Sequence, residues 1–340
     1  MHAQAYAAKF AEAARELAAA DAVAGEPLRR EGDLALSAAV ARGVFHFQQL
    51  QIQPALAAWQ DADRLQRQLR PDDAHLAVAI RESLADATLR QGQLDAAIAM
   101  LKGMLTDPLL STERVGENRV AAQRILLARA LRNQGRYAEA LPLAQQAATI
   151  TEKLSGPDAY ATLTQLSLVA SIHDYAGDCP KALGLMRTVR TRMAERYGET
   201  RQGTLVETGN LGLKEYDCGD RQIGLGHIQR AESGLRQHYG EDNVTAQIFG
   251  YTLAGLLARE SRWRDALARI DALNVPALTA GNSRPGWEER LQALRGEILI
   301  GLGEAERGRG LIAAALPRLT TLGTEEQADL ERLRRLIATR

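Results

Sequence analysis

Apolar residues recur every three or four positions along most of this chain, which is the spacing of one face of an α-helix. The segments on either side of Gly177 show it well, with Leu166 and Val169 before this glycine and Leu183 and Met186 after it. The chain has no convincing strand pattern. We therefore predict a series of amphipathic helices joined by short turns.

The turns between these helices repeat with an almost constant period. Residues 135–141 read Gly-Arg-Tyr-Ala-Glu-Ala-Leu and have counterparts at 92–98, 177–183 and 219–225, with weaker forms elsewhere. Each step is 42 residues, except one of 43. Such a period indicates a repeat protein whose unit is one hairpin, helix A followed by helix B. The predicted turn positions are 8, 50, 92, 135, 177, 219, 261 and 303.

Two positions of the hairpins are occupied by alanine or glycine throughout. Because antiparallel helices approach closely only where side chains are small, we predict that these positions pack near each other around the turn. Seven residues before the turns lie Gly43, Ala85, Ala128, Ala170, Gly212, Ala254 and Gly296. Five residues after the turns lie Ala13, Ala55, Ala97, Ala140, Ala182, Gly224, Ala266 and Gly308.

The hairpins resemble the tetratricopeptide repeat, which has small residues at both of these positions, a turn glycine and an apolar or aromatic residue two places later. Leu94, Tyr137 and Trp263 fill that last place. The 42-residue period and Pro142 early in helix B resemble the kinesin-light-chain subtype. The resemblance covers about residues 8–320. It implies an all-α fold, a right-handed superhelical solenoid of antiparallel hairpins, and it says little about the partner, because this repeat serves many proteins.

The period also predicts how the chain is organised. We expect one solenoid over residues 1–340, with a leading half-hairpin in 1–25, seven hairpins in 26–320 and a capping helix in 321–340. The half-hairpin contains only helix B, so we expect further sequence before it in the natural protein. The predicted cap has Leu330, Leu333, Leu336 and Ile337 on one face.

Composition excludes several functions. Lys plus Arg and Asp plus Glu number 42 each, so no net field favours nucleic acid or an anionic membrane surface. No apolar run is long enough to span a bilayer. None of the six histidines has the spacing of a metal site, and no nucleotide-binding loop or catalytic motif occurs. We expect neither an enzyme nor a cofactor.

The resemblance implies a concave groove lined by the A helices. Its register places residues 13, 10, 6, 3 and 2 positions before each turn in that groove, where a mixture of Arg, Tyr and small polar groups suits an extended peptide. Asn210 lies one place off this register and matches an asparagine that the subtype uses on peptide backbone. The other predicted groove residues are Glu82, Asp86, Arg90, Arg129, Arg132, Asn133, Thr164, Ser167, Ser171, Asp174, Tyr175, Tyr216, Asp217, Tyr251 and Arg259.

Two functions remain open at this point. The first is a sensor or partner-recognition module of a larger bacterial signalling protein, such as a membrane-tethered Ser/Thr kinase or transcription regulator. The second is a structural scaffold that self-associates as a homo-oligomer. Only five of the 42 basic residues are lysines, which is typical of a GC-rich bacterial genome.

The two cysteines are predicted to form a disulfide. Cys179 lies at the start of one helix B, and Cys218 lies at the end of the following helix A. These two helix ends lie side by side in a tetratricopeptide array. The alternative is a pair of reduced residues that fill small gaps. A disulfide would favour the periplasm over the cytoplasm.

Overall fold

The computed structural model describes residues 32–49, 51–281, 286–322 and 327–338, and every regular element within them is a helix. The all-α prediction is confirmed. The chain divides into two compact units, the first ending at Gly177 and the second beginning at Asp178. The predicted half-hairpin in residues 1–25 lies outside the described residues, and one solenoid over 1–340 stays a prediction.

The described part of the first unit contains eight α-helices and a short 3-10 turn, Pro108–Leu110. The helices are α1 Gly32–Gln48, α2 Ile52–Leu69, α3 Ala74–Arg90, α4 Leu94–Thr106, α5 Thr112–Val115, α6 Glu117–Asn133, α7 Tyr137–Ser155 and α8 Tyr160–Tyr175. Within this unit the hairpins are α1–α2, α3–α4 and α6–α7, and helix B of each packs on helix A of the next.

The described part of the second unit contains nine helices. They are α9 Cys179–Tyr197, α10 Gln202–Cys218, α11 Arg221–Tyr239, α12 Val244–Arg259, α13 Trp263–Asp271, α14 Val275–Gly281, α15 Trp287–Gly301, α16 Ala305–Leu322 and α17 Gln327–Ala338. The hairpins within this unit are α10–α11, α12–α13 and α15–α16.

Helix boundaries fall at all seven predicted turns from position 50 to position 303. Most turn glycines are left-handed, as in Gly135 with a φ of 80°, because glycine has no side chain to clash there. Ser261 replaces glycine at one turn and keeps the left-handed conformation with a φ of 57°. Gly219 differs, with a φ of −130°, and only two residues separate the helices around it.

The predicted small positions are buried in every described hairpin. In the first unit they are alanines, apart from Gly43, and Ala85, Ala97, Ala128 and Ala140 are each 0% exposed. In the second unit two hairpins use glycine at both positions. There a Cβ on Gly296 would lie 2.6 Å from the carbonyl oxygen of Gly308, so these helices are closer than alanine allows.

Two departures from a regular repeat follow from prolines. Helix α4 ends at Thr106, and Pro108 begins the 3-10 turn that leads into α5, whose buried Val115 joins the core. In the second unit α13 has only nine residues, and Pro276 lies in the first turn of the extra helix α14. Proline is favourable in the first turn of a helix and unfavourable further along, so helix B is divided at both places.

The last described helix, α17, packs on α16 through its apolar face. Leu330 and Leu333 of α17 are buried against Ile312 and Leu319 of α16, with Leu336 and Ile337 packed around them.

Candidate peptide-binding groove

The A helices of the first unit form one shared pocket of about 360 Å³. Helices α1, α3, α6 and α8 all contribute, as the register of the repeat requires. Four lining residues are apolar, namely Phe47, Ala122, Ile125 and Leu126. The other four are polar, namely Glu82, Ser83, Asp86 and Gln165. The pocket therefore has apolar walls and convergent polar groups, as ligand sites usually do.

Glu82 and Asp86 lie one helical turn apart on α3. Arg119 of α6 donates to Oε2 of Glu82 over 2.8 Å, and Arg90 donates to Oδ2 of Asp86 over 3.1 Å. Glu82 is 9% exposed, and its burial raises the pKa of its carboxyl above the ordinary value, an effect that Arg119 offsets only in part. The guanidinium of Arg90 also lies 4.8 Å from the centre of the Phe47 ring.

A second polar cluster surrounds Arg132 near the end of α6. Its guanidinium donates to Oγ of Ser171 over 2.9 Å and to Oδ1 of Asn133, and lies 5.7 Å from the Tyr175 ring. Tyr175 is 59% exposed and stacks on Tyr137, with 6.2 Å between the ring centres. Among the described residues no carboxylate forms an ion pair with Arg132. Burial lowers the pKa of Arg132 below its ordinary value. The cluster thus exposes an aromatic face beside a guanidinium.

The remaining predicted residues of the first unit lie on α6 and α8 and are half-buried. Arg129 lies 4.0 Å from Asp86, so it connects the pocket with the cluster around Arg132. Thr164 is half-buried and donates its hydroxyl hydrogen to backbone carbonyls of its own helix. Ser167 and Asp174 are also half-buried on α8.

The predicted residues of the second unit do not form a comparable cluster. Tyr216 is only 6% exposed, and its hydroxyl donates to Glu260 over 2.7 Å, so it holds α10 against α12. Tyr251 packs edge-on against Trp287, with ring centres 5.3 Å apart. Asn210 is half-buried, whereas Asp217 and Arg259 are exposed.

Six of the eight pocket residues are absent from the predicted set, namely Phe47, Ser83, Ala122, Ile125, Leu126 and Gln165. Phe47 lies three positions before the turn at 50, so the same register selects it. The predicted residues began with the next hairpin, at Glu82, and therefore omitted Phe47. Gln165 lies twelve positions before its turn, one place off the register, and it also lines a neighbouring pocket of about 640 Å³ beside Leu154 and Ala161. Nothing in the repeat pattern distinguishes Gln165 from other polar residues of helix A.

The predicted disulfide is present in the second unit. Cys179, the first residue of α9, is joined to Cys218, the last residue of α10, with Cα atoms 6.0 Å apart. The bridge fixes the end of α10 next to the unusually short turn at Gly219. It therefore links two consecutive repeats by a covalent bond.

Among the described residues, no helix is both long enough and apolar enough to cross a bilayer. The same residues also contain no group of three or more His, Cys, Asp or Glu side chains that could hold a metal ion.

Comparison with known proteins supports the repeat class. Residues 119–195 match the family model of the tetratricopeptide repeat. The described hairpins on either side have small, buried residues at the same two positions. The class is therefore a tetratricopeptide-type helical repeat, a fold of protein-interaction modules. None of the curated proteins compared with the chain matches it.

Three solved structures share this fold. The first is BtubC (BKLC) from P. vanneervenii, 19% identical, with a TM-score of 0.53 over 68% of this chain and 91% of the other. The second is a Rap protein complexed with Competence and Sporulation Factor, 15% identical, with a TM-score of 0.61 over 98% and 99%. The third is the apo quorum sensor NprR from B. thuringiensis, 13% identical, with a TM-score of 0.58 over 99% of each chain. At these identities the likeness shows the fold alone.

Proposed function

We propose that this chain is a peptide-recognition module that binds an extended segment of a partner protein in the A-helix groove of its first unit. One observation carries the proposal: side chains from α1, α3, α6 and α8 converge on a single pocket, and two of these helices also carry the exposed Tyr175 and the guanidinium of Arg132 beside its ring. Aromatic and arginine side chains are the commonest anchors of protein interfaces.

The proposal also includes a biological setting for the module. The module serves as the sensor or partner-recognition part of a larger bacterial signalling protein, such as a membrane-tethered kinase or transcription regulator. The disulfide supports an oxidising compartment such as the periplasm. The fold shared with a Rap protein solved with Competence and Sporulation Factor is compatible with this setting but does not carry it.

A peptide library tests the recognition function. The purified chain is screened against decapeptides with acetylated N-termini and amidated C-termini, and dissociation constants of selected peptides are measured by fluorescence anisotropy. Replacing Arg129, Arg132 and Asn133 by alanine should weaken the binding of selected peptides about tenfold or more, which corresponds to about 1.4 kcal/mol. The melting temperature should change little, because these side chains are at most half-buried.

A matched triple variant controls for surface charge. Arg64, Lys102 and Gln145 lie on the B helices α2, α4 and α7, away from the groove, and their replacement by alanine should leave affinity unchanged. If the B-helix variant loses binding and the groove variant does not, the groove is not the site. If no peptide binds at any concentration tested, the recognition function itself is wrong, and sedimentation velocity then tests self-association as the alternative.

A further inference from the structure

The pocket between α1, α3, α6 and α8 has ionisable groups of one sign only. Glu82 and Asp86 line it, whereas no lysine, arginine or histidine occurs among its described lining residues. Arg90, Arg119 and Arg129 reach these carboxylates from outside the lining, and each is about 41% to 42% exposed at its side chain.

Each of these carboxylates has one oxygen that accepts a hydrogen bond and one that accepts none, and the guanidinium of Arg129 lies 4.0 Å from Oδ1 of Asp86. Glu82 bonds Arg119 through Oε2, and Asp86 bonds Arg90 through Oδ2. Oε1 of Glu82 and Oδ1 of Asp86 are buried and accept no hydrogen bond from any described residue. Unsatisfied buried acceptors are costly, and the cost is greater for charged groups. The side chains keep 11% and 17% exposure, so a ligand in the pocket can contact them.

Burial also makes the charge on Glu82 less favourable. It raises the pKa of the carboxyl more than Arg119 and Gln123 lower it, so in the folded protein the ionised form is less favourable than in water. A second cation or a multiple hydrogen-bond donor close to Oε1 would offset that penalty. An anionic group would increase it.

We infer that this acceptor pocket, defined by Glu82, Asp86, Ile125 and Leu126, binds an arginine or lysine side chain of the partner peptide. Such a side chain has a cationic head with three to five donors and an apolar stem. The head satisfies the free oxygens of Glu82 and Asp86, while the stem packs on Ile125 and Leu126 of α6. The inference rests on the proposed function and specifies the chemistry of its ligand.

The same blocked decapeptide library tests this specificity. Each position is fixed in turn as Arg, Lys, norleucine or Glu, with the other positions randomised. We expect one position at which Arg or Lys binds about tenfold more tightly than norleucine, with Glu weakest. In the double variant Glu82→Gln and Asp86→Asn this preference should disappear. The control double variant Asp95→Asn and Glu139→Gln removes two exposed carboxylates of the same unit and should keep it.

A stability measurement tests the pocket without any peptide. Ala122 lines it and is half-buried on α6, so Ala122→Arg supplies a guanidinium from the chain itself, and Ala122→Glu supplies a third acid. The arginine variant should melt at least about 2 °C above the glutamate variant. In the Glu82→Gln and Asp86→Asn background this difference should vanish.

The outcomes separate the two claims. Peptide binding without a preference for Arg or Lys, or with a preference that survives in the double variant, overturns the acceptor pocket and leaves peptide recognition intact. Equal melting of Ala122→Arg and Ala122→Glu also overturns the acceptor pocket. If no peptide binds, the proposed function is wrong. The inference that a peptide's Arg or Lys side chain occupies the pocket is then wrong as well.

Discussion

Gly212 of α10 and Gly224 of α11 face each other so closely that a Cβ on Gly224 would lie 2.6 Å from the carbonyl oxygen of Gly212. The same Cβ would lie 2.5 Å from the backbone nitrogen of Tyr216. Backbone atoms cannot move aside as a flexible side chain can. The closest helix pairs of the second unit therefore depend on glycine, and alanine does not substitute for it.

Gly224→Ala should lower the free energy of unfolding by about 1 to 3 kcal/mol, because the added methyl group overpacks the hairpin. Gly226→Ala on the same helix is the control, since Gly226 is exposed and has open space around its Cα. That change should raise the free energy of unfolding by about 1 kcal/mol through helix propensity. Urea unfolding followed by circular dichroism measures both; the same sign for the two variants would contradict the close approach.

Ser261→Gly should stabilise the protein by about 1 kcal/mol. Ser261 has a φ of 57°, where a Cβ is unfavourable, and a left-handed glycine stands at the equivalent position in the turns at 92, 135, 177 and 303. Ser233→Gly is the matched control, because Ser233 is exposed in the middle of α11 and its replacement should cost about 0.5 kcal/mol. Thermal unfolding of the two variants should give shifts of opposite direction. A lower melting temperature for Ser261→Gly would mean that strain at this turn is absent.

Glu82→Gln should leave the protein at least as stable at pH 7, although it removes an ion pair with Arg119. The pKa of Glu82 is raised in the folded state, so the folded protein binds this proton more tightly than the unfolded chain does. The carboxyl's contribution to stability is therefore complete below the unfolded pKa of about 4.5 and is lost as the pH rises through the folded pKa. The glutamine variant lacks this dependence, so its advantage should shrink as the pH falls toward 4.5.

Glu139→Gln provides the opposite case for the same measurement. The hydrogen bond from Arg136 holds the pKa of the exposed Glu139 carboxyl below its ordinary value. Its contribution is present above the unfolded pKa and disappears as the pH falls through the folded pKa, so this variant should be less stable at neutral pH and equal in acid. Urea unfolding from pH 4 to pH 8 compares both variants with the parent. Parallel curves for Glu82→Gln and the parent would contradict the raised pKa.

Loss of the disulfide should lower the free energy of unfolding by up to about 4 kcal/mol. Cys179 and Cys218 are separated by 39 residues, and a cross-link over that length restricts the unfolded chain. The double variant Cys179→Ser and Cys218→Ser and the parent in reducing agent should unfold at similar urea concentrations, below that of the oxidised parent. An oxidised parent that unfolds with the reduced one would show that the bridge adds no stability.

The site was only partly predictable. The register selected Glu82 and Asp86 because their spacing from a turn places them on the groove side of α3. It selected Tyr216 by the same rule, yet the structure buries that ring and bonds its hydroxyl to Glu260. Spacing fixes the face of a helix on which a side chain lies, but it does not show whether a neighbouring helix covers that face. Gln165 is the opposite case, because it lies one place off the register and nevertheless lines the pocket.

The sequence by itself determined the repeat, its turns and its small positions, because these depend on periodicity and on which backbones can approach. The pairing of Cys179 with Cys218 came from the resemblance to a tetratricopeptide array, with reduced cysteines as the alternative, and the structure joins them. Tertiary structure alone decided that side chains from four A helices line one pocket and that Glu82 and Asp86 each have an oxygen there without a hydrogen bond. Those features depend on contacts between side chains about 40 positions apart in the sequence. Such contacts form only when the hairpins stack on one another.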